Sequence, residues 1–210
     1  MEPRPDAELL RAWQGGDPSA GQELVRRHAP RITRFFRNKV SAPVEDLVQD
    51  TFLALLEGHQ RIDQPDKLPH YLYGIAHNVL RAYIRSSIKA RQIDEGASSM
   101  AALDPGPTSI IARRREHRLL LQALRRIPIQ HQIALELYYW EGLNTVDIAA
   151  ILGLSASAMR SRMGRARELL ERELELLAES TAELESTVGG LDNWVAGIRQ
   201  QMATDEALPS

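Results

Sequence analysis

Apolar residues recur at three- and four-residue intervals over residues 6–14, 20–40, 44–57, 69–91, 110–127, 129–141 and 145–177, the spacing of helices that bury one face. No stretch alternates for long as a strand would. Turn residues separate the helical runs: Gly15-Gly16-Asp17-Pro18, Pro43, Gly58, Pro65, Pro128, Gly142 and Gly153. The pattern predicts an all-α protein. One composition shift, at residues 92–109 (QIDEGASSMAALDPGPTS), is small, polar and rich in Pro and Gly, and reads as a flexible linker. It divides the chain into two small helical domains, residues 1–91 and 110–174, each near the lower range of an independent domain. Residues 175–210 form a helical or partly disordered acidic extension, whose Leu177, Leu184, Val188, Leu191, Trp194, Val195 and Ile198 could line a helix interrupted at Gly189-Gly190.

Within the second domain, TVDIAAILGLSASAMRSRMGRAR (145–167) has the pattern of a helix-turn-helix. Thr145 is the expected N-cap of a first helix carrying Ile148, Ala149 and Leu152, and Gly153 supplies the turn. Ser155 then caps a second helix in which Met159, Met163, Ala166 and Leu170 make the buried stripe. This leaves Arg160, Arg162, Arg165 and Arg167 to reach phosphates and base edges in a major groove. A solvated cationic helix on an ordinary bundle would use the same arginines, but acids enter this helix only at Glu168 and Glu171.

The first domain holds a second basic surface. In YLYGIAHNVLRAYIRSSIKAR (71–91), Leu72, Ile75, Val79 and Ile84 are the expected buried stripe, with His77, Arg81, Arg85 and Lys89 as a basic ridge on another face. Tyr71, Tyr73 and Tyr83 place rings near those cations, and Asn78 adds an amide able to donate and accept. Rings beside cations suit single-stranded or melted nucleic acid, although tyrosines in a core and cations in water explain the pattern too. Upstream, EDLVQDTFLALLEG (45–58) turns Leu47, Val48, Thr51, Phe52 and Leu55 toward a core or partner and Glu45, Asp46, Gln49 and Asp50 outward. Acids at a helix N-terminus are also stabilised locally by the macrodipole.

Charge and composition narrow the function. The net charge of −2 over 210 residues conceals segregation. Five Arg stand against two Glu between Ser155 and Arg172, whereas seven acids stand against Arg199 alone from Glu175 to Ser210. Because charges beyond about 8 Å are increasingly screened at physiological salt, the local face decides whether DNA is attracted. The absence of cysteine excludes disulfides and thiolate chemistry and fits a reducing, cytoplasmic environment. No apolar run approaches the roughly 20 residues of a membrane span, and the N-terminus lacks the layout of a signal peptide. The six histidines lack metal-binding spacing, and neither a phosphate-cradling loop nor a nucleophile with its base is evident. The expectation is no enzyme and no cofactor.

Three segments in order, DLVQDTFLALL, LPHYLYGIAHNVLRAYIR and LRRIPIQHQIALELYYWEGLNTVDIAAILGLSASAMRSRMGRARELL, resemble the two regions of extracytoplasmic-function sigma factors, the promoter-recognition subunits of bacterial RNA polymerase. The resemblance spans about residues 6–174. It implies core RNA polymerase and promoter DNA as partners, an anti-sigma factor as a regulator, and a monomer. It also implies that Asp46, Gln49, Asp50 and Phe52 dock on the polymerase clamp. Asn78, Arg81, Tyr83, Arg85 and Lys89 would serve the −10 element as it melts, and Ser157, Arg160, Ser161, Arg162 and Arg165 would read the −35 duplex. A helix-turn-helix regulator acting without polymerase, or a helical interaction module, are the alternatives. The chain departs from the family in having Tyr71 where Trp is frequent, no aromatic near Gly21, Ala158 where Thr or Ser is usual, and the acidic extension.

Overall fold

A computed structural model describes residues 4–37, 39–40, 44–91 and 115–178, giving only the helical course over 87–91 and 115–118. The described residues are helical, without strands, and the chain divides into two compact units, residues 1–87 and 88–210. The linker at 92–109 and the extension from residue 179 onward lie outside the described residues.

The first unit contains α1 (Asp6–Gln14), α2 (Pro18–Arg37), α3 (Val44–Gly58), two 3-10 turns (His59–Arg61 and Pro65–Lys67) and most of α4 (Leu68–Arg91). Leu9 and Leu10 of α1 bury with Leu24, Ile32 and Phe36 of α2, Leu55 of α3, and Leu68, Leu72 and Leu80 of α4. Truncating such a leucine to alanine costs about 2–5 kcal/mol. Polar contacts fix α1 against its neighbours. Asp6 accepts from Arg27 at 2.6 Å and pairs with the buried His28 at 2.7 Å. Burial pushes the His28 pKa below its ordinary value, opposed by the Asp6 carboxylate. Gln14 Nε2 donates to the carbonyls of His59 and Ile62, at 2.9 and 3.1 Å.

Trp13 accounts for one departure from the family pattern. Its indole stacks on His59 with ring centroids 4.0 Å apart, and a Cβ on Gly21 would lie 2.6 Å from it. The aromatic ring expected near position 21 therefore comes from position 13, and only glycine leaves it room. Similarly, the Tyr71 hydroxyl would meet a Cβ on Gly58 at 2.6 Å. Lys39 is wholly buried at the end of α2, donating from Nζ to the Phe35 carbonyl at 2.7 Å and lying 4.0 Å from the Phe35 ring centroid.

The buried stripe of α4 differs from the expected one. Leu68, Leu72, Ala76, Leu80 and Ile84 form the row, with Tyr73 beside it, whereas Ile75 and Val79 are half-buried. The row steps by four residues through the small Ala76, which a count of large apolar side chains overlooks. Tyr73 packs near Phe35, ring centroids 6.0 Å apart, and belongs to the core rather than the basic ridge.

The second unit contains α5 (Arg115–Arg126), α6 (Ile129–Tyr139), α7 (Thr145–Leu152) and α8 (Ala156–Leu177). α8 packs against the other three. Its Met159, Met163, Ala166, Leu170 and Leu174 bury with Leu120, Leu124, Ile127, Ile133, Leu135 and Ile148. Pro128 precedes α6 with φ −55, where a missing N–H costs nothing. The cap of α7 is Asn144, not Thr145: its side-chain oxygen accepts from the N–H groups of Val146 and Asp147 at 3.0 and 2.9 Å. An amide reaches both donors from the extended position just outside the helix.

Candidate nucleic-acid interface

The turn that aims the second unit's exposed helix starts at Gly153. With φ 66 it ends α7 in the left-handed conformation, and the Leu154 N–H donates to the Ala149 carbonyl at 2.8 Å. Ser155 follows as the cap of α8, its Oγ accepting from the Ala158 N–H at 3.2 Å. With the methionine stripe facing inward, Ser157, Arg160, Ser161 and Arg165 face solvent and Arg162 is half-buried. Ser157 lies 3.1 Å, oxygen to oxygen, from Ser155. Arg165 pairs with Glu168 at 2.9 Å, both ends well exposed. Such a pair contributes about 0–1 kcal/mol, so a phosphate can replace the carboxylate.

Two features modify the expected arginine surface. Arg167 donates to the Tyr139 hydroxyl at 3.2 Å and lies 5.7 and 5.9 Å from the ring centroids of Tyr138 and Tyr139. It turns back onto α6, contrary to the expectation that it reaches DNA, because two neighbouring tyrosines offer it a ring face and a hydroxyl. His131, in the first turn of α6, lies against this surface. Burial, with the positive charges of Arg162 and Arg165, pushes its pKa down, opposed by the backbone of Arg162. Burial also lowers the pKa of Arg162, which stays a cation. The sequence analysis passed over His131 because only the packing of α6 on α8 brings it to these arginines.

On α4, Asn78, Arg81 and Arg85 are all exposed and recur after three and four residues, forming one row. Tyr71, 38% exposed, falls on the same row one heptad before Asn78. Tyr83 is half-buried and, at 100° per residue, sits roughly 140° around the helix from Asn78. The tyrosine on the row is therefore Tyr71. Lys89 continues α4 by register, its side chain outside those described. His77 is half-buried.

α3 carries a third surface. Asp46, Gln49 and Asp50 are exposed and Phe52 is half-buried. Beside them Leu53 and Leu56 are 47% and 52% exposed. The Thr51 hydroxyl faces inward and donates to the Leu47 carbonyl at 2.8 Å, which orients the helix. The result is an acidic strip bordered by apolar side chains. Sequence periodicity missed Leu53 and Leu56, since a run such as FLALL cannot itself show which leucines lack a partner.

No group of His, Asp or Glu among the described residues is arranged to hold a metal ion. No helix among them is long and apolar enough to cross a membrane.

Comparison with known proteins agrees with these surfaces. The family model described as Sigma-70 region 2 matches residues 24–89, and that described as Sigma-70, region 4 matches residues 117–170. The chain is 32% identical over 181 residues to the RNA polymerase sigma factor CarQ of Myxococcus xanthus, covering 83% of this chain and 99% of that protein. It is 31% identical over 165 residues to the ECF RNA polymerase sigma factor SigE of Mycolicibacterium smegmatis, covering 77% of this chain and 64% of that one. Among solved structures, CnrH in complex with the cytosolic domain of CnrY is similar at TM-score 0.58 and 26% identity, over 82% of this chain and 99% of that one.

Proposed function

We propose a division of labour along this chain, which belongs to the extracytoplasmic-function sigma factors and directs bacterial RNA polymerase to its promoters. The acidic and apolar face of α3 docks on the core enzyme through Asp46, Gln49, Asp50 and Phe52, joined by Leu53 and Leu56. The row on α4 handles the −10 element: Asn78 takes an unstacked base, while Arg81, Arg85 and Lys89 neutralise the backbone. Tyr71 on that row and Tyr83 at its flank supply rings for stacking. In α8, Arg160, Arg162 and Arg165 with Ser157 and Ser161 read the −35 duplex, Arg162 and Arg165 both lying close to His131. The observation that carries this reading is that each cationic row is exposed directly opposite a buried apolar stripe. The cations are thus held by the fold and available to DNA.

The chain performs no chemistry itself. Polymerase forms the phosphodiester bonds in the cytoplasm, and the sigma factor lowers the cost of finding and opening the promoter. An anti-sigma factor is the regulatory partner in this reading, supported by the similarity to CnrH, which was solved with the cytosolic domain of CnrY.

Strand opening tests the α4 assignment. Asn78→Ala and Arg81→Ala are expected to retain binding to core polymerase and to impair opening. Permanganate reactivity of thymines near the start site should fall several-fold, since stacking and base contacts are worth about 1–3 kcal/mol per base. Normal reactivity in both variants on duplex promoters would place the melting surface elsewhere.

A further inference from the structure

α8 has a second row of residues that the packing of the unit leaves uncovered. Ala158, Arg162, Arg165, Leu169, Arg172 and Leu176 follow one another at alternating steps of four and three residues. Ala158, Arg165, Arg172 and Leu176 are exposed, Leu176 to 70%, and Arg162 and Leu169 are half-buried. Steps of four and three make a heptad seam, the pattern with which one helix receives another. The buried stripe of the same helix, from Met159 to Leu174, is already used.

The chain beyond α8 carries a matching seam. Leu184, Val188, Leu191, Val195, Ile198 and Met202 repeat the same alternation of four and three. Residues 179–198 also contain Glu179, Glu183, Glu185 and Asp192 and no Lys, Arg or His. α8 ends at Leu177, so six residues, 178–183, separate it from Leu184. That length is typical of a turn between antiparallel helices, about 2–8 residues.

We propose that residues 184–202 fold back antiparallel along α8 and cover this row, occupying the face that otherwise reads DNA. In the register set by the turn, Leu184 meets Leu176 and Leu191 meets Leu169. Val195 then lies over Arg165, Ile198 over Arg162 and Met202 beside Ala158. Glu185 and Asp192 flank Arg172 and Arg165 and compete for them with Glu168, the present partner of Arg165. Gly189 and Gly190 weaken the added helix, so a core enzyme or DNA can displace it. The extension is thus a built-in competitor for promoter DNA, and its inhibitory effect rests on the proposed −35 role of Arg162 and Arg165.

The absence of cysteine makes the test direct. In the full chain, Ala158→Cys with Met202→Cys is expected to cross-link readily with a short thiol-reactive linker. Ala158→Cys with Leu184→Cys is not, because position 176, opposite Leu184, lies about 27 Å along the helix from position 158. Deleting residues 179–210 is expected to tighten binding to a short duplex of arbitrary sequence roughly tenfold, as if about a tenth of the full chain were competent. The gain should be larger at low salt. Equal cross-linking of the two pairs, or equal affinity with and without the extension across a salt series, overturns the proposal. Arg160→Ala and Arg165→Ala in the shortened chain test the DNA face separately. Undiminished duplex binding there removes the −35 assignment, while the cross-links still decide the docking.

Discussion

Asp50→Arg is expected to abolish co-purification with core polymerase while leaving the helical circular-dichroism spectrum unchanged. Asp50 is exposed on α3, and it shares its face with Asp46, Gln49 and the protruding Leu53 and Leu56. Its part in helix stability is limited to a charge near the helix N-terminus, about 0.3–1 kcal/mol, which a folded domain tolerates. At an interface the same reversal sets like charges against each other and costs several kcal/mol, or at least a hundredfold in affinity. Leu53→Asp should behave alike, because burying a new carboxylate defeats docking without touching the core. Loss of helicity together with loss of binding would return α3 to a purely structural role.

The second large effect is expected in α8. Replacing Arg160 and Arg165 together with alanine should weaken promoter binding by more than a hundredfold, from about 1–3 kcal/mol for each arginine that contacts a base. An arginine that contacts only phosphate should instead weaken all sequences alike and flatten the salt dependence. Arg167→Ala is the contrasting variant. Because Arg167 is engaged by Tyr138 and Tyr139, its loss should lower the melting temperature slightly and leave promoter preference unaltered. A quantitative binding assay over related promoter sequences separates the three behaviours. Equal loss of specificity from Arg167→Ala would show that the recognition surface extends onto the α6 side of the helix.

The contrast between Arg165 and Arg167 shows where sequence stops being informative. Periodicity places both off the Met159–Leu170 stripe, and that stripe is buried as its spacing requires. Only the position of Tyr138 and Tyr139 on another helix decides that Arg167 turns inward. The same limit explains α4. Helical spacing establishes that one face is buried, but Ala76 and Tyr73, one small and one amphipathic, set which face meets α2. The Asn144 cap was missed for a local reason: Asn and Thr adjoin, both are good caps, and one residue of register decides between them. Leu53, Leu56 and His131 become informative only once packing shows which side chains lack cover and which charges gather.

The helix-turn-helix alone would also suit a regulator that never joins polymerase. The matches to both sigma regions, with nearly the whole of CarQ covered, favour the sigma factor instead. The most direct measurement is transcription by purified core polymerase on genomic fragments, with and without the chain, with start sites mapped. Defined start sites on a subset of fragments that appear only when core and chain are both present, with the chain alone protecting the same promoters weakly, are the expected result. Strong protection by the chain alone, with no defined start sites gained when core is added, would contradict it.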